Sequence, residues 1–208
     1  MVKLSYKEQV QRVREDAIVE AVNRLLAAKG YDAMTVDEVA AEAGIAKASV
    51  YKHFASKEDL AAAAMVRALD RAMTFVDALR KDTKAQPFEQ LKAVAGWAIS
   101  SQLANEMPLL PSQNSSLTNS LQAHEAYMDR LISLSNKLSI WITEAQTSGQ
   151  LNPALPAEMV LYILFARACD PVVGMLKTSG MYSNEQILAW VTSTTFDGLR
   201  APAAATAA

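Results

Sequence analysis

Five side chains that can donate hydrogen bonds lie within seven residues of this 208-residue chain: Lys47, Ser49, Tyr51, Lys52 and His53. Ammonium, hydroxyl, phenol and imidazole groups at that density suit acceptors repeated along a polymer, such as phosphate oxygens, and acceptors on base edges. Each lysine taken singly reads as a solvated surface residue, and it is the grouping that points to nucleic acid. Other chemistry finds no support in the spacing. Two His and one Cys, at 53, 124 and 169, give no metal-ligand pattern. No G-x-S-x-G is present, and Gly174 to Gly180 holds the letters of a phosphate loop in the wrong order. Neither an enzyme nor a cofactor is expected.

The elements that must position the five donors are written on either side of them. Thr35 with Glu38 three residues on is a capping box, which starts a helix carrying Val36, Val39, Ala40 and Ala43 at helical spacing. Gly44 allows a sharp exit, and Gly44-Ile45-Ala46 is the turn. A second short helix is predicted from Lys47 to about His53, and Ser56 with Asp59 caps a third. Two short helices joined by such a turn describe a helix-turn-helix. Ala40 is small enough for the helices to cross, and Ile45 and Val50 are the expected plugs between them. In this motif the second helix enters the major groove and flanking residues hold phosphates.

The stretch from Thr35 to Leu60 resembles the DNA-binding signature of the TetR-type family of bacterial regulators. The resemblance rests on Gly44-Ile45, Val50-Tyr51-Lys52-His53-Phe54 and Ser56-Lys57-Glu58-Asp59-Leu60. It covers the N-terminal quarter of the chain; beyond that, only length and helical character match. It implies that Thr35, Tyr51, His53 and Lys57 hold phosphates and that Lys47 and Ser49 lie near bases, with Ala48 and Lys52 on the same DNA-facing helix. It also implies a homodimer formed through the last two helices as a four-helix bundle, a near-palindromic operator in double-stranded DNA, and a small-molecule effector. Ala46 departs from the pattern, which often has Ser or Thr there, so the recognition helix is expected to lack a side-chain cap.

Composition narrows the rest. Hydrophobic residues make up 51%, with seven Gly and seven Pro, which favours an ordered all-α protein. The net charge is −2, and residues 1–60 hold nine Lys/Arg against ten Asp/Glu. Any basic footprint is therefore local, around Lys3, Lys7, Arg12 and Arg14 and around Lys47, Lys52 and Lys57, which implies few phosphate contacts and strong salt dependence. The longest uninterrupted apolar runs, 60–66 and 159–166, are too short to span a bilayer, and no apolar signal region opens the chain. No membrane partner and a cytoplasmic location are expected. The single cysteine, Cys169, lies in an apolar stretch and reads as a small core residue.

The predicted architecture is a three-helix head with the helix-turn-helix at 1–55, followed by a larger helical bundle at 56–200 for effector binding and dimerisation. Residues 56–81 form a connecting helix, and 201–208 a disordered tail. In the first helix, about Lys7 to Lys29, the stripe Val10, Val13, Ala17, Ala21, Val22 and Leu25 is the expected core face, ended by Gly30. Pro87 opens a helix with Leu91, Val94, Ala95, Ile99 and Leu103 inward. A break follows over 105–119, then one long helix from Ser120 to Thr147, apolar on two sides and so inside a bundle. Residues 156–178 are apolar nearly all round with a kink at Pro171, and Ser183 with Gln186 caps the last helix. Leu164 is a candidate interface residue. Large and polar groups on the body helices, Trp97, Met107, His124, Met128, Trp141, Phe165 and Arg167, are the candidate effector contacts. With so little charge, the effector should be apolar or aromatic. A body serving only dimerisation or a protein partner, and activation in place of repression, are the alternatives.

Overall fold

In the computed structural model the described residues are 5–81, 85–108 and 116–201, and they form an all-α chain. The tail from 202, residues 82–84 of the connector and residues 109–115 of the predicted break lie outside them. The helices are α1 (Tyr6–Ala33), α2 (Val36–Glu42), α3 (Lys47–Val50), α4 (Lys57–Leu79), α5 (Pro87–Leu103), α6 (Ser116–Ala123), α7 (Glu125–Thr147), α8 (Ala157–Ala166), α9 (Pro171–Ser179) and α10 (Asn184–Leu199). A 3₁₀ turn, Arg167–Cys169, separates α8 from α9.

The predicted punctuation recurs in the structure. Thr35 and Glu38 form a reciprocal capping box on α2, and Ser183 and Gln186 form another on α10. Ser56 Oγ accepts from the Asp59 amide at 3.0 Å. Gly30 leaves the helical conformation at φ 75°, which interrupts α1 three residues before its end. Gly44 has φ 67°, a region that side chains with a Cβ rarely adopt, and it turns the chain from α2 towards α3. α3 lacks a side-chain cap at Ala46, as the departure there implies. It is shorter than predicted. After Val50 the chain tightens, with the Lys52 and His53 amides bonded to the carbonyls three residues back.

Contacts divide the chain into two compact units. The first unit comprises 1–69 and 105–129, and the second 70–104 and 130–208. The first unit is built on Ile18, Val22, Leu26, Met34, Val39, Val50, Leu60 and Ala64, each at most 1% exposed. Leu117 and Leu121 of α6 belong to that same core. Of the expected stripe on α1, Ala21 and Val22 are fully buried and Leu25 packs against the core, whereas the N-terminal members Val13 and Ala17 are exposed. Val13 is 68% exposed, and Ile18 and Val19 are buried in its place. The apolar residues of α1 are spread around its axis, so no single face is dictated by spacing alone, and the half before Asp16 extends past the core.

In the second unit α5 buries all five residues of its predicted face, Leu91, Val94, Ala95, Ile99 and Leu103. Ile99 and Leu103 meet Val173, Ile187 and Val191. Two predictions for the body need correction. The single helix 120–147 is broken at His124, whose ring Nδ1 accepts from the Tyr127 amide at 3.3 Å and caps α7. Nor is α7 enclosed on all sides, because Ile132 and Ile140 are 52% and 44% exposed. The stretch Ala157–Ser179 also corrects the reading from uninterrupted runs, since as a whole it has the length and hydropathy of a membrane span. Asp170 and Pro171 break it, and an Arg167–Asp170 ion pair crosses the break at 2.7 Å, a poor arrangement for a helix in lipid.

Candidate nucleic-acid interface

The interface is assembled in the first unit from α1, α2 and α3. Val50 is fully buried and anchors α3, which leaves Lys47, Ala48, Tyr51 and Lys52 turned to solvent with Ser49 half-buried. A helix of four residues is held by its neighbours, not by its own propensity. Tyr51 is 48% exposed, high for a residue of its size, and suits a contact made on binding.

Four of the eight predicted DNA-binding residues, Lys47, His53, Lys57 and Thr35, have side-chain partners in the folded chain. The Lys47 ammonium donates to Asp37 Oδ2 at 2.9 Å, and that carboxylate holds the lysine pKa above its ordinary value. His53 Nδ1 lies 3.2 Å from Glu15 Oε1, with 10% of the imidazole side chain exposed. Glu15 is held below the usual carboxylate range, first by a hydrogen bond from Gln11 and then by the His53 contact. Lys57 Nζ sits 4.3 Å over the Tyr31 ring, and the Tyr31 hydroxyl donates to Glu58 at 2.6 Å. Thr35 is exposed, and its hydroxyl is engaged with Glu38 at the start of α2. Arg14, Lys52, His53, Tyr6, Val10 and Gln11 line a groove of about 460 Å³ between α1 and the end of the recognition segment. Arg14 and Gln11 were outside the predicted set. Their signal is positional: they fall one helical turn apart on the exposed half of α1.

Acidic groups are worked into the same surface. Glu38 is paired with Lys29 and receives the Thr35 hydroxyl and amide, and these bonds lower its pKa to about 2. A depressed carboxylate pKa adds stability above its ordinary value of 4.5, and that contribution is lost as pH falls towards 2. An NMR titration of the Glu38 side chain is expected to show it ionised at pH 3.5. A midpoint near 4.5 would remove this role.

The candidate effector residues do not fall in one unit. Met107, His124 and Met128 belong to the first, and Trp97, Trp141, Phe165 and Arg167 to the second. Trp97 stacks on Phe75 with centroids 5.6 Å apart, and Trp141 is 5% exposed. Arg167 lines a groove of about 340 Å³ with Leu155, Met159, Ile163, Thr194 and Thr195. Asp70–Arg130 at 2.8 Å and Asp77–Lys137 tie the C-terminal half of α4 to α7. Cys169 has its thiol pKa raised by burial and by Asp170.

A short recognition helix anchored by buried Val50 behind a glycine turn, with exposed donors and a cap at the start of each flanking helix, defines a helix-turn-helix DNA-binding head. Residues 18–64 match the family model described as bacterial regulatory proteins, tetR family. A transcriptional regulator of Bacillus subtilis, YerO, is 34% identical over 74 residues, 36% of this chain and 26% of that protein. Among solved structures, FadR of Bacillus halodurans, a fatty acid degradation regulator, is similar with a TM-score of 0.67 at 20% identity, over 97% of this chain and 100% of that one. FadR of Bacillus subtilis, solved in complex with stearoyl-CoA, gives 0.64 at 20% identity over 89% and 99%. Residues 18–64 thus carry the N-terminal helix-turn-helix domain of the TetR family of bacterial regulators, and the chain as a whole shares the all-α fold of these solved structures. The matched stretch spans 26% to 36% of the length of the curated relatives.

Proposed function

We propose that the chain is a homodimeric repressor that binds a near-palindromic operator in the bacterial cytoplasm and is released by a small molecule with an apolar or aromatic body. The observation that carries the DNA-binding part is the exposure of Lys47 and Ala48 on a helix fixed by buried Val50, and of Tyr51 and Lys52 in the turn that follows it. In this reading Lys47, Ala48 and Ser49 face bases, and Thr35, Tyr51, Lys52, His53 and Lys57 lie along phosphates. Two heads spaced about one helical turn, ~34–36 Å, then reach successive major grooves. Selection of bound fragments from sheared genomic DNA at roughly 150 mM salt tests this, since salt at that level suppresses nonspecific binding. Recovery of one palindromic site supports the proposal, and recovery without a shared site sinks it.

The contacts sort into two kinds. Lys57→Ala is expected to weaken all duplexes alike and to lower the slope of log affinity against log salt by about 0.9. Lys47→Ala and Ser49→Ala are expected to change base preference. A Lys57→Ala protein that alters one base preference and keeps its salt slope would reverse the assignment.

Release by an effector needs a route to the head. α4 is one continuous helix of about 35 Å at 1.5 Å per residue, tied to α1 by Arg67–Asp16 and to α7 by the Asp70 and Asp77 pairs. Within the first unit, Asn23, 4% exposed, donates to the Glu106 carbonyl at 3.0 Å. We propose Trp97, Trp141, Phe165 and Arg167 of the second unit as effector contacts, with Met107, His124 and Met128 of the first as separate candidates. The stearoyl-CoA held by FadR supports an apolar body for the ligand, so thermal-shift screening should include acyl-CoA esters beside neutral aromatics. A ligand that binds the folded state raises the melting temperature by mass action. An unshifted melt across the panel would favour a body that serves only dimerisation or a protein partner.

A further inference from the structure

The pairing of Lys47 with Asp37 carries a consequence beyond DNA binding as such. The two side chains belong to different helices, α3 and α2, and both remain open to solvent at 48% and 71% exposure. Whatever meets the Lys47 ammonium lies within one contact distance of the Asp37 carboxylate. An ammonium has three donors, so Lys47 can keep Asp37 and still give a hydrogen bond to DNA. The pair thus offers a donor and an acceptor side by side. In the major groove a G·C pair offers the complement, O6 and N7 acceptors on guanine beside the N4 amino donor of cytosine. Against a phosphate, by contrast, the pair is nearly neutral, so it adds little to binding of random duplex.

We propose that Asp37 is a specificity-determining residue, which reads cytosine N4 at the same G·C pair whose guanine edge is read by Lys47. The inference rests on the DNA-binding reading above. Its carboxylate is on α2, outside the recognition helix, which is why spacing within 47–53 does not reveal it.

The test is selection from a randomised duplex library by the full chain, with Asp37→Ala, Lys47→Ala and Glu42→Ala beside wild type. Glu42, also on α2, is engaged with Arg24 at 2.8 Å and serves as the control for loss of one carboxylate. Melting temperatures confirm that each variant folds. Asp37→Ala and Lys47→Ala are expected to relax the same G·C position, each by about tenfold, a single good base contact. Glu42→Ala should leave every position as in wild type. In titrations Asp37→Ala should also bind random duplex more tightly while losing operator affinity. Unchanged base preferences in Asp37→Ala overturn the inference, as does relaxation of different pairs by Asp37→Ala and Lys47→Ala. If Asp37→Ala and Glu42→Ala tighten all duplexes equally, Asp37 acts only as a field charge and the inference fails. A wild-type chain that enriches no sequence overturns the DNA-binding reading itself.

Discussion

Met175→Glu is expected to convert the proposed dimer to a folded monomer and to reduce affinity for the proposed operator by about 10²–10⁴-fold. Met175 is 71% exposed on α9, and Met159, Tyr162, Val172 and Trp190 are 46% to 59% exposed on α8 to α10. Few of these side chains find cover within one chain, so a second copy is the proposed cover. A two-fold interface brings the same residue from each copy, and Met175→Glu therefore places two carboxylates in one desolvated patch. The monomer should keep its melting behaviour, because Met175 contributes little to its own core. The loss of operator affinity follows from the loss of linkage between two heads, which otherwise makes the second half-site contact intramolecular. Sedimentation at micromolar concentration and operator titration read the two effects. A dimer that survives would move the interface away from α9.

Arg167→Leu is expected to destabilise the body by about 3 kcal/mol, the cost of leaving one member of a buried pair without the other. Asp170 is 4% exposed, accepts from the Val172 amide at 2.9 Å as the cap of α9, and faces the Arg167 guanidinium at 2.7 Å. Leucine leaves that carboxylate charged and unpaired at the break between α8 and α9. For a chain of this length the melting temperature should fall by roughly 6–12 °C. Adding Asp170→Asn should recover most of the loss, since the amide still caps α9 without a charge to neutralise. If Arg167→Leu melts within 2 °C of wild type, the pair contributes no more than a surface bridge.

Local rules carried the sequence a long way here. Capping boxes at Thr35 and Ser183, the glycine turn at Gly44, the start at Pro87 and the inward face of α5 all depend on neighbours within a few residues, and the structure repeats them. The motif of the head was legible for the same reason. Burial phase was less so. α1 has apolar residues around its whole circumference, and only packing against α2, α4 and α6 selects Ile18 over Val13. Leu164 and Met175 look alike in sequence, yet one is 4% exposed and the other 71%. Which of them faces its own body and which faces outward is a property of the assembled helices. The grouping of α6 with the head, the cap supplied by His124 and the meeting of Asp37 with Lys47 each join residues that no period links. The amino-acid sequence by itself determined the helices and the motif, because hydrogen bonding and capping are local. Tertiary structure alone decided which carboxylate stands beside which amine, because that depends on how separate helices cross.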